Sequence, residues 1–135
     1  TGIQLWFKNG IVVKSKAKTN EKFLKQMIAT EGANKIGEYS LTDSRHSRIT
    51  KFMAETLYDE NVGGPQGNTH LAVGMCYLDT YTGDPSKLSK KQQASLGYND
   101  SSVHTDIIST APRTVTAYLR DGNSREIYKH GRYVF

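Results

Sequence analysis

Apolar and polar residues alternate in two short runs at the start of the chain, residues 3–8 and 11–18. Asn9 and Gly10 separate the two runs, and this pair favours the positive φ angles of a tight hairpin turn. The pattern therefore predicts two antiparallel strands. Alternation in the first run predicts one buried face, made of its apolar positions: Ile3, Leu5 and Phe7.

A helical pattern follows the hairpin. Thr19 or Asn20 can cap a helix that runs to about Thr30. Its apolar positions fall on one helical face: Phe23, Leu24, Met27 and Ile28. Gly32 favours the end of the helix. This stretch, about residues 20–30, is the main amphipathic helix that the sequence predicts.

Strand-like patterns dominate the rest of the chain, at residues 35–41, 103–109 and 114–119, and Asp121-Gly122 favours a turn before residues 126–128. Two further segments stay open, since 47–57 fits a helix or a loop and 69–77 fits a strand or a helix. Residues 79–102 are polar enough to predict a long loop. The order of elements predicts an α+β fold, mostly antiparallel β-sheet with one main helix and long polar loops.

Bulk composition narrows the function only a little. The 135 residues suffice for one domain, and no run approaches the roughly 20 apolar residues of a membrane-spanning helix. The single cysteine, Cys76, fits a reducing compartment, so we expect a cytoplasmic protein. A net charge of +5 brings nucleic acid into consideration, but the lysines of residues 14–18 alternate as they do on the solvated face of a strand.

His104 and Asp106 are the first candidates for chemistry. Residues two apart in a strand project from the same face, so an imidazole and a carboxylate would share one site. Zinc, cobalt and manganese accept these ligand types. The same pattern would also arise if the two residues were an ordinary pair on the strand surface, or if they formed hydrogen bonds to metal ligands without binding metal themselves.

Three more residues stand out. His70 lies between a glycine-rich loop and an apolar run, where it is either a ligand or a histidine at the edge of the core bonded to backbone. Glu38 lies among residues that favour burial, and a buried carboxylate is costly unless it is paired or bound to metal. Glu60 precedes a turn, which is also an ordinary place for acidic side chains. The polar surroundings of His46 and His130 predict surface positions.

Four blocks of the sequence resemble the thermophilic metalloprotease family of aminopeptidases. They are EGANKIGE at 31–38, LYDEN at 57–61, GNTHLAVG at 67–74 and SVHTD at 102–106. The order and approximate spacing agree across essentially the whole chain. The resemblance implies hydrolysis of N-terminal residues from peptides by a water that two divalent metal ions activate.

The resemblance also implies roles for single residues. Glu38, His70, His104 and Asp106 match metal-binding positions of the family. Tyr77 matches a tyrosine at the active site that can donate a hydrogen bond to an oxyanion. Glu60 matches an acidic residue beside the site, and the sequence leaves open whether Glu60 or Glu38 handles the proton.

A further metal-binding glutamate of the family belongs upstream of position 1. The resemblance therefore implies that the chain is a C-terminal part whose N-terminal domain is absent, and that the chain alone is inactive. It also implies a homodimer. Two alternatives predict other behaviour: a metal-free interaction domain, and a basic nucleic-acid-binding module whose binding would weaken steeply with salt.

Overall fold

The chain begins with the predicted hairpin. A computed structural model describes residues 1–135, and in it β1 (Gln4–Lys8) pairs antiparallel with β2 (Ile11–Lys16). Asn9 and Gly10 have φ angles of 51° and 74°. These are the left-handed conformations that a two-residue hairpin turn requires, so the prediction made from the Asn-Gly pair is confirmed.

The buried face predicted for β1 is wrong for this chain. Ile3 is 60% exposed and Phe7 is 37% exposed, while Leu5 is half-buried. Val12 of β2 is the buried residue of the hairpin. Alternation shows which side of a strand can pack, but not whether another element of the chain covers that side.

The main helix, α1 (Glu21–Ala29), packs against β2. Leu24 is buried, Met27 and Ile28 are half-buried, and Phe23 is 69% exposed, so only part of the predicted apolar face is covered. Asn20 precedes the helix in a left-handed conformation and its side chain forms no cap hydrogen bond. The predicted helix is therefore confirmed, whereas capping by Asn20 is not.

A three-stranded sheet has the order β3-β4-β5, with β3 at Ile36–Thr42, β4 at Asn68–Gly74 and β5 at His104–Ser109. The central strand β4 is the most buried, with Ala72 and Val73 almost fully inaccessible to solvent. The segment that the sequence left open between strand and helix is therefore a strand.

A second three-stranded sheet closes the chain. Strands β6 (Thr114–Tyr118), β7 (Ser124–Lys129) and β8 (Arg132–Tyr133) pair antiparallel in chain order. Tyr128 is fully buried, and its hydroxyl donates a hydrogen bond of 2.8 Å to the carbonyl of Thr42. The α+β prediction, with mostly antiparallel sheet, is confirmed.

Short helices occur in the segment that the sequence left open between helix and loop, and in the segment that it predicted as a long loop. Residues 47–57 are irregular until α2 (Thr56–Asp59) begins. The polar excursion contains a 3-10 turn (Pro85–Lys87) and α3 (Lys90–Ser95). Ser89 and Gln92 form a capping box at the start of α3. None of the helices is long and apolar enough to cross a membrane.

The chain divides into two compact units. The first comprises Thr1–Glu38 and Leu71–Asp106, and the second comprises Tyr39–His70 and Ile107–Phe135. The first unit holds the hairpin, α1 and α3, and the second holds α2 and the C-terminal sheet.

Within the second unit, Asp43 is a buried carboxylate with a full set of donors. It is 3% exposed and accepts hydrogen bonds from the Arg45 guanidinium and from the backbone amides of Arg45 and Tyr133. The hydrogen bonds from Arg45 hold the pKa of Asp43 far below its usual range. Its contribution to stability is therefore present above the unfolded-state pKa of about 3.9 and is lost as the pH falls below that value.

We expect Asp43→Asn to lower the free energy of unfolding by about 2–3 kcal/mol at pH 7, because donors to a charged acceptor lose their partner. At pH 3 the wild-type protein has already lost part of the stabilisation that the ionised Asp43 contributes. The difference in free energy of unfolding between wild type and variant should therefore be about 1 kcal/mol smaller than at pH 7. Urea denaturation at both pH values measures this, with the exposed Asp100→Asn as control. Equal differences at pH 7 and pH 3 would contradict the role of the Asp43 charge.

Candidate metal centre

Three side chains from two strands meet in the first unit. Glu38 lies on β3, and His104 and Asp106 lie on β5. His104 Nε2 is 3.5 Å from Glu38 Oε2 and 3.6 Å from Asp106 Oδ1. One ligand atom from each residue lies within 4.8 Å of those of the other two. These are the nitrogen and oxygen donors that borderline transition metals accept.

The two faces of β5 serve different purposes. His104 and Asp106 are two apart and share one face, as the period of a strand predicts. The hydroxyl of Thr105, which lies between them, donates to Met27 Sδ of α1 over 3.7 Å. Thr105 thus contacts the helix from one face of the strand, and the candidate ligands project from the other face.

A backbone carbonyl orients the ring of His104. The Nδ1 atom lies 2.8 Å from the carbonyl oxygen of Met75. Because a carbonyl only accepts, Nδ1 carries the proton, and the lone pair of the neutral ring lies at Nε2, on the side of the two carboxylates. Histidines that bind metals are commonly oriented in this way. No side-chain pattern in the sequence could reveal the part played by the Met75 backbone.

The residues present fit a divalent cation. Asp106 Oδ1 is buried and has no hydrogen-bond partner, a costly state for a carboxylate oxygen. The distances of 3.5 and 3.6 Å are too long for good hydrogen bonds. They are close to the separation of about 3.4 Å between ligands that each lie about 2.0–2.2 Å from one tetrahedral ion. A cation would satisfy the buried oxygen and balance the two carboxylates.

The environment of Glu38 differs from the expectation. Its side chain is 30% exposed, and its neighbours Ile36 and Tyr39 are 37% and 51% exposed, so the predicted burial is wrong for this chain. The apolar residues around it indicate what β3 is able to bury, while the actual exposure depends on what covers the strand. Glu38 therefore approaches His104 from a strand that is partly exposed.

Tyr77 lies directly beside His104. Its ring centroid is 5.2 Å from that of the imidazole, with a tilt of 53° between the planes. The residue is 54% exposed. The structure thus brings together four of the six predicted site residues in the first unit.

The other two predicted residues, Glu60 and His70, meet in the second unit. His70 is 3% exposed, and its Nδ1 lies 2.9 Å from the backbone carbonyl of Glu60. The buried Asn68 side chain donates to the same carbonyl over 2.9 Å. These bonds connect the 57–61 and 67–74 blocks and orient the imidazole. His46 and His130 are exposed, as predicted.

The sequence model of one family, described as "Thermophilic metalloprotease (M29)", matches residues 1–133. The chain belongs to this family. Proteins that it resembles include aminopeptidase AmpS of Bacillus subtilis, with 31% identity over 97% of the chain. Aminopeptidase 2 of Geobacillus stearothermophilus is 33% identical over 99% of the chain.

A solved structure of the same family has the same fold. Wild-type AmpT from Thermus thermophilus matches 98% of the chain with a TM-score of 0.76 and 25% sequence identity. The chain spans about a third of the length of these relatives, since it covers 32% of each of the three. The named relatives are aminopeptidases, and the family is one of metalloproteases.

Proposed function

We propose that the chain carries metal-binding and catalytic residues of a metal-dependent aminopeptidase, as the C-terminal part of a longer polypeptide. The cluster of Glu38, His104 and Asp106, with its buried and unpartnered Asp106 oxygen, is the observation that carries this proposal. Membership in a metalloprotease family supports a metal role for the cluster. The activity named for the relatives supports peptides as substrates.

The proposed metal ligands are Glu38, His70, His104 and Asp106. Two divalent cations bound there would supply Lewis-acid activation of a water molecule and of the scissile carbonyl. The mixture of imidazole and carboxylate suits zinc, cobalt or manganese. The Met75 carbonyl in the first unit and the Glu60 carbonyl in the second hold the two imidazole rings in fixed orientations.

Protein groups then handle charge and protons. Tyr77 is placed to donate its phenolic proton in a hydrogen bond to the oxyanion that develops on the peptide carbonyl. Glu60 or Glu38 accepts the proton of the attacking water and delivers it to the departing amine. Peptide substrates, a cytoplasmic location and assembly into a homodimer complete the proposal, and these rest on the resemblance to the family.

The test compares two polypeptides on one substrate. We expect the longer polypeptide that contains this chain to release p-nitroaniline from an amino-acid p-nitroanilide when Co²⁺ or Zn²⁺ is present, and chelation to abolish the release. The chain alone should show no detectable turnover, because a two-metal site that lacks one ligand loses its geometry. Absence of metal-dependent turnover in the longer polypeptide would refute the proposed function.

A further inference from the structure

A cavity lies next to the candidate metal centre, within the first unit. It has a volume of about 370 Å³, within the usual range of small-molecule sites. Two of its residues are direct neighbours of the metal centre. Gly37 precedes Glu38 in β3, and Tyr77 lies with its ring against that of His104. The cavity is therefore adjacent to the site of the proposed reaction.

The lining of the cavity is uncharged. Apolar and aromatic side chains predominate, and they include Ile36, Leu78, Tyr81, Leu96 and Tyr98. No Asp, Glu, Lys, Arg or His lines it. Transfer of a charged group into such surroundings without a partner is costly, while apolar surface gains free energy there. The cavity favours an uncharged, apolar occupant.

Hydrogen bonds connect two of the segments that line the cavity. The amide of Cys76 donates to the carbonyl of Asn99, and the amide of Asn99 donates to Cys76 Sγ, each over 3.1 Å. The buried Asn99 side chain also donates to the carbonyls of Gly32 and Gly74. A Cβ atom at Gly37 would collide with the carbonyls of Gly74 and Met75. The segment around Tyr98 is thereby tied to the segment around Cys76.

We propose that this cavity binds the side chain of the N-terminal residue of the substrate, and that it selects branched aliphatic and aromatic side chains over small or charged ones. The proposal rests on the proposed aminopeptidase function. An aminopeptidase must hold the first residue of its substrate beside the metal centre, and Tyr77, which lines this cavity, has its ring against that of His104. Specificity then follows from the uncharged lining of the cavity.

One test uses the chain itself and does not depend on activity. Cys76 is the only cysteine in the chain and lines the cavity, so its modification reports on what enters. Benzyl, 2-ammonioethyl and 2-sulfonatoethyl methanethiosulfonate are compared by mass spectrometry, each as the ratio of its rates with the folded and urea-unfolded chain. We expect the ratio for the benzyl reagent to exceed those for both charged reagents at least 10-fold. Equal ratios would overturn the proposal.

A second test measures specificity in the longer polypeptide. Leu96→Trp enlarges a side chain that lines the cavity, and Leu119→Trp, at an exposed leucine of the second unit, is the matched control. We expect Leu96→Trp to lower the ratio of kcat/KM for leucine over alanine p-nitroanilide about 10-fold or more, the scale set by methylene-sized differences in an apolar pocket. The control should leave this ratio unchanged.

The outcomes separate the two proposals. An active enzyme whose leucine-to-alanine ratio is unaffected by Leu96→Trp refutes the cavity as the specificity site and leaves the aminopeptidase function standing. Absence of activity on every substrate refutes the aminopeptidase function, and with it the substrate assigned to the cavity. In that case the labelling of Cys76 still measures whether the cavity accepts apolar groups.

Discussion

Replacement of His104 by alanine is expected to lower kcat/KM of the longer polypeptide on an amino-acid p-nitroanilide roughly 1000-fold, because a two-metal reaction depends on the geometry of every ligand. In the chain alone, the same change should weaken Co²⁺ binding at least 10-fold, which the absorption of bound Co²⁺ or titration calorimetry measures. His46→Ala removes an exposed histidine and is the matched control. Unchanged Co²⁺ affinity in the His104 variant would contradict its role as a ligand.

Asp106→Asn refines this experiment because it keeps the shape of the side chain and removes its charge. The buried Asp106 oxygen has no hydrogen-bond partner in the chain, so its loss should not destabilise the metal-free protein. We expect the variant to lose Co²⁺ affinity while its free energy of unfolding without metal is equal or higher. A residue whose removal costs function but not stability serves the site rather than the fold. A large loss of metal-free stability would instead assign Asp106 to the fold.

Replacement of Gly74 by alanine is expected to lower the free energy of unfolding by about 3 kcal/mol, the sum of backbone strain and a collision. Gly74 has a φ angle of 105°, and a Cβ atom there would collide with the carbonyl of Val103. That carbonyl accepts a 2.6 Å hydrogen bond from the amide of Met75. Since the Met75 carbonyl orients His104, the substitution should also weaken Co²⁺ binding.

The control for this substitution is Gly122→Ala. Gly122 also has a positive φ, 85°, but no atom lies within 4 Å of the added methyl group. The control isolates the backbone strain, and we expect it to cost about 1 kcal/mol. Urea denaturation compares the two variants. If they cost the same, close packing around Gly74 contributes nothing, and the connection from Gly74 through Met75 to the metal centre loses its support.

Local chemistry made some elements predictable from the sequence. The Asn9-Gly10 pair determines the hairpin through its backbone preference, and apolar spacing determines α1 through helical periodicity. α3 was missed because residues 79–102 are mostly polar and show no apolar helical face, although Ser89 and Gln92 have the spacing of a capping box. The solvent exposure of β1 and of Glu38 depends on which other elements pack against them, and the residues of a strand do not specify this.

The candidate site was predictable only in part. The pairing of His104 with Asp106 follows from the two-residue period of a strand. The approach of Glu38 depends on the order of strands in the sheet, which spacing does not give, and only the resemblance to the family grouped Glu38 with them. The hydrogen bond from His104 is accepted by the backbone carbonyl of Met75, and backbone atoms carry no residue-specific signal. Residues from three separate segments, 36–37, 76–81 and 96–98, line the cavity, and no sequence motif predicts it.

In β5, Thr105 contacts α1 from one face and the candidate ligands His104 and Asp106 lie on the other. This arrangement restricts insertions and deletions within the strand. A single residue inserted after Thr105 would reverse the face of each position beyond it in the strand, so the Asp106 carboxylate would turn toward the helix that carries Met27. The mostly exposed stretch 82–87 imposes no such register. Insertions and deletions in that stretch are therefore expected to be tolerated. In β5 they are expected to abolish activity.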